Sequence, residues 1–255
     1  MDWLLGGGWH ADTAAVCAVV GALGGWLVPR LVARIPEPVA VPAGPAGPAG
    51  PDPAAHEEEP RPSYVELAAA PGLAQRSAVG GALVGGVIGA ATGWIWPLTY
   101  LLVLVPIGLA LGYVDSRVRL LPTKVIAPTY GVVAALVLLC AAVTGDLDDL
   151  GRAALGWLVF GLVFWLLWRF TPGMGYGDVR LSGILGIALG YLGWSEALVG
   201  LYSGFLLGSV GWIPLRLLRI TKDRNFPFGP FMLIGALVGI VWGPEIGEYL
   251  AARRA

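Results

Sequence analysis

The recurrence of long apolar stretches constrains this chain more than any other feature of its sequence. Each stretch approaches the roughly 20 residues that a helix needs to cross the hydrocarbon layer of a bilayer. Because lipid offers backbone amides and carbonyls no hydrogen-bond partner, a spanning segment closes its own bonds as an α-helix. The sequence therefore predicts an all-α, polytopic membrane helix bundle with about eight transmembrane helices, at 13–32, 77–95, 98–114, 125–143, 153–168, 179–192, 196–218 and 230–242.

The composition agrees with a chain that lies in a bilayer. Hydrophobic residues make up 56% and charged residues 13% of the chain, against roughly 45–50% and about 25% in soluble domains. A formal net charge of −1 argues against a nucleic-acid partner, because binding to phosphates needs clustered excess Lys and Arg. We expect the lipid bilayer, and not nucleic acid, to surround or contact this protein.

The few cysteines and histidines point to no metal ion and no covalent nucleophile. Cys17 and Cys140 each lie inside an apolar stretch without Cys-x-x-Cys spacing, where a free cysteine usually acts as a small hydrophobe. His10 precedes the first stretch and His56 lies in a polar segment, so neither is placed to activate a serine or a cysteine. We predict no zinc site, no disulfide and no cofactor.

Three segments follow from the pattern: an N-terminal transmembrane anchor helix at 1–35, a cytoplasmic disordered linker at 36–76 and a membrane domain at 77–255. The linker contains a short Gly-Pro-Ala repeat at 44–51, which is far too short for a collagen helix and is typical of a semi-extended spacer. The first residues lack a basic region, and the first apolar stretch is long enough to span. We therefore expect a retained anchor and not a cleaved signal peptide.

The basic residues predict the orientation of the chain, since Lys and Arg near span ends favour the cytoplasm. With the N-terminus outside a plasma membrane, thirteen of the 16 Lys and Arg residues fall in cytoplasmic loops. The remaining three, Arg152, Arg253 and Arg254, fall outside. This multi-pass arrangement places the end of the third stretch and the start of the sixth on the same, cytoplasmic face.

Those two positions carry carboxylates, Asp115 and Asp178. Ionisable residues at such depth are costly and mark functional sites. Two carboxyl groups held close together in a poorly solvated place do not both ionise, so one stays charged while the other keeps its proton. The charged group can take a proton from a water that attacks a peptide carbonyl, and the protonated group can donate a hydrogen bond to the carbonyl oxygen. The pattern therefore suggests peptide hydrolysis.

Structural roles compete with this interpretation. Asp178 also suits an ordinary N-cap after a flexible turn, and Asp115 suits an ion pair with Arg117 or Arg119 at the end of a span. The glycines before Asp178 permit positive φ and close backbone approach, so an extended substrate has room against this loop.

Three motifs carry a resemblance to a known family. Gly-Met-Gly-Tyr-Gly-Asp-Val-Arg-Leu at 173–181 resembles the Gly-x-Gly-Asp signature of the type IV prepilin peptidases, which are membrane aspartic proteases. Asp115, followed seven residues later by Pro122, is similar to the family's first aspartate. Phe-Pro-Phe-Gly-Pro-Phe at 226–231 resembles its Pro-Phe-Gly-Pro-Phe element. The motifs occur in the expected order and cover the chain from about residue 77 to its end.

The resemblance implies that Asp115 and Asp178 form the catalytic pair of an aspartic endopeptidase. Such an enzyme would cleave the leader peptide of type IV prepilins or pseudopilins at the cytoplasmic membrane face, for a type IV pilus or a protein secretion system. Its substrate would carry a short basic leader and then a hydrophobic helix. The loop residues that would line the substrate's entry, or merely form rigid turns, are Gly175, Gly177, Pro227, Phe228, Gly229 and Pro230.

The chain departs from the resemblance in one segment. Longer members of that family carry, after the first span, a cytoplasmic segment with paired Cys-x-x-Cys motifs that binds zinc and is associated with N-methylation of the new pilin terminus. This chain has the Pro/Ala/Gly-rich linker there. We therefore expect the short form of the peptidase, without the zinc-binding segment, and carry over no methyltransferase activity.

Two other classes of function compete with a protease. A transporter would use membrane carboxylates to relay protons, and its acids should lie near the bilayer midplane. A non-catalytic scaffold would depend on small-residue helix packing, and its aspartates would be dispensable. Substituting each aspartate separates the three classes.

Deletion of residues 39–51 should leave leader removal nearly unchanged, because a disordered spacer contributes little to the geometry of a site. The measurement is the gel shift of a co-expressed prepilin. Loss of processing by a correctly inserted deletion variant would show instead that this segment recognises substrate.

Overall fold

The structure is a computed structural model that describes residues 9–37, 62–119, 121–171, 174–217 and 227–253. Within these ranges the chain forms ten α-helices and no strand. They are α1 (Ala11–Trp26), α2 (Val28–Ala33), α3 (Tyr64–Ala68), α4 (Leu73–Thr92), α5 (Leu98–Val118), α6 (Thr123–Thr144), α7 (Asp148–Phe170), α8 (Tyr176–Leu192), α9 (Trp194–Leu217) and α10 (Gly229–Ala252). The predicted all-α class is confirmed for this part of the chain.

Among the described residues, five helical segments are long and apolar enough to cross a membrane: α1 with α2, α5, α6, α7 and α10. The sequence predicts about eight. The difference has a physical reason in two cases, since α8 has only 17 residues and α4 carries Arg76, Ser77 and several glycines that lower its mean hydropathy. The third predicted segment, α9, leads directly into residues 218–226, which lie outside the described ranges.

Two of the predicted stretches, the first and the last, differ most from the observed helices. The first stretch is divided at Leu27, after which α2 begins with Val28 and Pro29, because a proline lacks the amide hydrogen that a continuous helix needs. The bounds predicted for the last stretch, 230–242, were too narrow. Helix α10 continues through Pro244 to Ala252, since an internal proline removes one hydrogen bond without ending a helix that its neighbours support.

The end of the predicted disordered linker is ordered. Most of that segment, residues 38–61, lies outside the described ranges. Helix α3, however, falls within it and begins at a capping box in which Ser63 and Glu66 satisfy each other's backbone amides. Tyr64 and Leu67 are buried against α2 and α5, and Tyr113 donates a hydrogen bond to the Leu67 carbonyl at 3.1 Å. Residues 64–68 and the first turn of α4 therefore belong to the folded bundle.

Glycines bring three pairs of helices into backbone contact: α1 with α4, α7 with α8, and α9 with α10. Because lipid supplies no hydrophobic drive for helix association, the close packing of small residues holds such helices together. In each pair a methyl group on one glycine would collide with the partner's backbone, as at Gly81 against Gly21, Gly186 against Gly156, and Gly239 against Gly200. These contacts set the spacing of the bundle.

Helix α8 lies at the centre of the bundle, although it has only 17 residues. Most of the residues along α8 are buried, including Leu181, Ile184 and Leu189. Tyr100 of α5 donates a hydrogen bond to the Ala188 carbonyl at 3.0 Å in a fully buried position. The surrounding helices thus fix α8, and with it the residues at its N-terminal end.

Gly81→Val should destabilise the protein, because the new side chain would meet the backbone of Gly21 in α1. Forced overpacking of this kind costs roughly 1–3 kcal/mol. Gly131→Val is the matched control, since Gly131 is also helical but is exposed with no neighbour within 4 Å. Thermal unfolding of both variants in detergent tests this; equal losses of stability would contradict the packing argument.

Candidate active site

Asp115 lies in the last turn of α5 and is almost fully buried, with 4% of its surface exposed. Its Oδ2 accepts a hydrogen bond from the backbone amide of Gly229 at 3.0 Å. Gly229 is the first residue of α10, so its amide is one of the donors that a helix leaves unsatisfied at its N-terminus. The carboxylate of α5 therefore caps the start of α10.

Asp178 lies in the first turn of α8 and is 5% exposed. Its backbone amide donates to the Gly175 carbonyl at 3.1 Å, and its Oδ2 accepts from the Gly175 amide at 3.2 Å. Capping therefore uses one carboxylate oxygen only. The other, Oδ1, is buried and has no hydrogen-bond partner among the described residues. A buried polar oxygen is costly to leave unpaired, so Oδ1 is available to accept a further hydrogen bond.

The two carboxyl groups lie at the same end of the bundle and interact electrostatically. They come from helices separated by more than 50 residues of sequence, α5 and α8. Arg119, in the left-handed conformation (φ 56°) that ends α5, also acts on Asp115 electrostatically. Arg119, one of the two arginines that the sequence offered as an ion-pair partner of Asp115, thus contributes a positive charge near the two carboxyl groups.

The first turn of α8 packs tightly against the chain that follows α5. Gly177 lies so close to Leu121 that a methyl group on Gly177 would come within 2.5 Å of the leucine Cβ. Gly175 supplies the amide that Asp178 accepts. Both glycines therefore have a structural role in bringing the α8 terminus to the α5 terminus, whatever they do with a substrate.

The Pro-Phe-Gly-Pro element lies on the other side of Asp115. Phe228 packs against Phe164 of α7 and Phe205 of α9, with ring centroids 5.8 Å and 5.6 Å away. Gly229 has no room for a side chain, because a Cβ would lie 2.8 Å from Asp115 Oδ2. Pro227 and Pro230 flank these two residues, and Phe226 lies outside the described ranges.

Two residues of α6 that the sequence reasoning did not single out, Tyr130 and Thr123, hold the start of α8. Tyr130 of α6 donates a hydrogen bond to the Arg180 carbonyl at 2.7 Å. The Arg180 guanidinium hydrogen-bonds to the Thr123 hydroxyl and lies 4.7 Å from the centre of the Tyr176 ring. In this part of the chain Arg180 forms no ion pair with Asp178, so its contacts fasten α8 to α6. The sequence feature that could have drawn attention to Tyr130 is a tyrosine hydroxyl within the apolar stretch 125–143.

The geometry provides a buried acid pair with one free carboxylate oxygen, bordered by a glycine loop on one side and an aromatic cluster on the other. Such a pair can activate water and hydrogen-bond a carbonyl oxygen. Across the residues that the structure describes, no group of three or more His, Cys, Asp or Glu side chains is placed to hold a metal ion.

The sequence profile of the type IV leader peptidase family matches residues 102–243, which is more than half of the chain. The chain belongs to the type IV leader peptidase family. The matched region runs from α5 into α10, and so contains both aspartates and the loops beside them. Helices α1 to α4 precede it.

Curated relatives of this family member are named prepilin leader peptidase/N-methyltransferase. The protein of Pseudomonas aeruginosa is 32% identical over 169 residues, which are 65% of this chain and 57% of that protein. The protein of Stutzerimonas stutzeri is 29% identical over 177 residues, 68% of this chain and 60% of that protein. The protein of Aeromonas salmonicida is 31% identical over 163 residues, which are 60% of this chain and 53% of that protein. The chain thus spans a little over half the length of these relatives. No solved structure matches it.

The contact between Gly229 and Asp115 predicts an energetic coupling between the two positions. Gly229→Ala should lower the free energy of unfolding, because its Cβ would press on Asp115 Oδ2. In an Asp115→Ala background that oxygen is gone, so the cost of Gly229→Ala should be smaller by about 0.5–3 kcal/mol. Unfolding of the four proteins of this cycle in detergent measures the difference.

Gly161→Ala serves as the control, since Gly161 of α7 has no neighbour within 4 Å. It should cost the same in both backgrounds. Equal costs for Gly229→Ala in both backgrounds would contradict the predicted coupling.

Proposed function

We propose that this protein is an intramembrane aspartic endopeptidase that removes the leader peptide of type IV prepilins or pseudopilins, with Asp115 and Asp178 as its catalytic pair. The observation that carries the proposal is the convergence of these two buried carboxyl groups from distant helices at one end of the bundle. Membership of the leader peptidase family and the names of the relatives support the same reaction.

In the proposed mechanism one carboxyl group is ionised and the other protonated. The ionised group takes a proton from a water molecule as the water oxygen bonds to the scissile carbonyl carbon. The protonated group donates a hydrogen bond to the carbonyl oxygen, which gains negative charge. The tetrahedral intermediate then collapses: the peptide C–N bond breaks, the amine leaves with a proton from a carboxyl group, and the acid pair again shares one proton.

The backbone hydrogen bonds of the two aspartates hold their carboxyl groups in place for these acid and base roles. In each aspartate a backbone amide holds Oδ2, from Gly229 for Asp115 and from Gly175 for Asp178. Those contacts orient the carboxyl planes before substrate arrives, and preorganised groups contribute more to catalysis than mobile ones. Asp178 Oδ1 remains available for water or for the substrate carbonyl.

We also propose a membrane topology of about eight spans, in which α4, α8 and α9 cross the bilayer beside the five long apolar helices. Each of the three packs along such a helix through close glycine contacts: α4 along α1, α8 along α7, and α9 along α10. Such close pairs are typical of neighbouring membrane helices. With the N-terminus outside, both aspartates lie at the cytoplasmic face, where most Lys and Arg residues also fall.

This position suits the proposed substrate. A basic leader would stay in the cytoplasm while the following apolar helix enters the bilayer, so the bond between them would lie at the depth of the two aspartates. The Phe228 ring, packed with Phe164 and Phe205, would exclude water from one side of the site. Gly175 and Gly177 would give the extended cleavage segment access to Asp178.

Asp115→Asn and Asp178→Asn should each reduce leader removal by roughly 10²–10⁴-fold, because acid–base catalysis of this kind needs both carboxyl groups. An asparagine keeps the oxygen that accepts the backbone hydrogen bond, so both variants should remain folded. The measurement is the rate of processing of a purified prepilin in detergent or nanodiscs.

Asp148→Asn is the matched control, since Asp148 is exposed in the first turn of α7, and it should process substrate at the wild-type rate. If either site variant retains the wild-type rate while folded, the proposed mechanism is wrong. Proton flux in proteoliposomes that depends on the same aspartates would favour a transporter instead.

A further inference from the structure

A groove of about 540 Å³ runs between α4, α5, α8 and α10. Its floor is formed by Leu185 and Leu189 of α8, and its deep end by Ile88, Leu101 and Ile240. Its mouth lies at the end of the bundle that holds the two aspartates, between Arg76 and Arg117. The groove is separate from the carboxylates themselves, because neither Asp115 nor Asp178 lines it.

The length of the groove suits an acyl chain. Along α5 it extends from Leu101 to Arg117, which at 1.5 Å per residue is about 24 Å. An extended aliphatic chain fits along it.

The lining of the groove is apolar, which excludes an extended peptide backbone. Its walls along α4, α5 and α10 carry Val84, Leu104 and Leu237, and these side chains offer no hydrogen bond to an amide or carbonyl group. Unsatisfied backbone groups cost several kcal/mol each in such surroundings. A hydrocarbon chain has no groups that need partners.

The mouth of the groove is positively charged. The side chains of Arg76 and Arg117 are exposed there, beside the exposed Ser116. Arg76 donates one hydrogen bond to the Pro71 carbonyl at 3.1 Å, and Arg117 lies 5.8 Å from the centre of the Tyr113 ring. Neither arginine forms an ion pair with any residue that the structure describes, so no described carboxylate neutralises their positive charge.

We propose that this groove is a binding site for an anionic phospholipid. One acyl chain lies along the floor formed by α8, and the headgroup phosphate accepts hydrogen bonds from Arg76 and Arg117. Basic mouths of apolar grooves between membrane helices recognise anionic headgroups in this way. The charge complementarity distinguishes this occupant from a neutral lipid.

A bound lipid would also stabilise the arrangement of helices beside the site. Pro230 and Leu233 of α10 line the groove together with Gly112 of α5, and the hydrogen bond from Gly229 to Asp115 joins the same two helices. An occupant that contacts both helices therefore favours the conformation in which α10 meets Asp115.

The experiment is native mass spectrometry of the purified protein incubated with equal amounts of phosphatidylglycerol and phosphatidylcholine of the same chain length. The wild type should retain one phosphatidylglycerol in preference to phosphatidylcholine. The double variant Arg76→Gln/Arg117→Gln should lose roughly ten- to thirty-fold in affinity for phosphatidylglycerol. Arg169→Gln, which removes an exposed arginine from the end of α7 away from the groove, should not change it.

A second pair of variants tests the acyl-chain position. Val84→Trp would fill the groove and should abolish retention of the lipid, whereas Val79→Trp, at an exposed position of the same helix, should not. The proposal is overturned if the wild type shows no preference for phosphatidylglycerol, or if the double arginine variant or Val84→Trp binds it as the wild type does while folded by thermal unfolding.

A photo-crosslinking amino acid at position 84 separates the possible occupants in the membrane. Adducts with phospholipid support the proposal, and adducts with a substrate or another protein overturn it. None of these measurements depends on proteolysis, so their outcome is independent of whether the proposed peptidase activity is correct.

Discussion

The hydrogen bond from the Gly229 amide to Asp115 Oδ2 joins residues 114 positions apart, and much of the site depends on it. It satisfies a buried carboxylate and one of the free donors at the start of α10 at the same time. Because Gly229 has no side chain, the backbone of α10 can approach the carboxylate directly. The Phe-Pro-Phe-Gly-Pro-Phe element therefore has a structural explanation next to Asp115, in addition to any contact with substrate.

Asp178 is positioned by a different device, and the difference matters for the chemistry. Its anchor is local, since Gly175 lies only three residues before it. Tyr130, Thr123 and Leu121, in and before α6, then hold the whole terminus of α8 in place. One carboxylate is thus fixed by a contact between distant helices and the other by its own turn. The two can be brought together only when the helices around α8 are correctly packed.

The sequence was sufficient for the class of fold and for the positions of the two aspartates at helix ends, because apolar length and isolated acids are strong signals in a membrane chain. It was less informative where packing decides the outcome. The roles of Tyr130 and of the Phe164 and Phe205 rings depend on contacts between helices that no local pattern reveals. The ordered α3 was missed because its two buried residues, Tyr64 and Leu67, follow a long proline-rich segment that dominates the composition of that region.

The glycine contacts divide the bundle into three tightly joined helix pairs, α1–α4, α7–α8 and α9–α10, with α5 between them. Separating the members of a pair would break backbone contact along its whole length, whereas sliding one pair past another disturbs only side chains. The bundle is therefore mechanically softer between pairs than within them. Asp178 belongs to one pair, Gly229 to another and Asp115 to the helix between them. A shift of one pair against another would therefore alter the distances within the acidic cluster, whereas each pair moving as a unit would keep its own contacts.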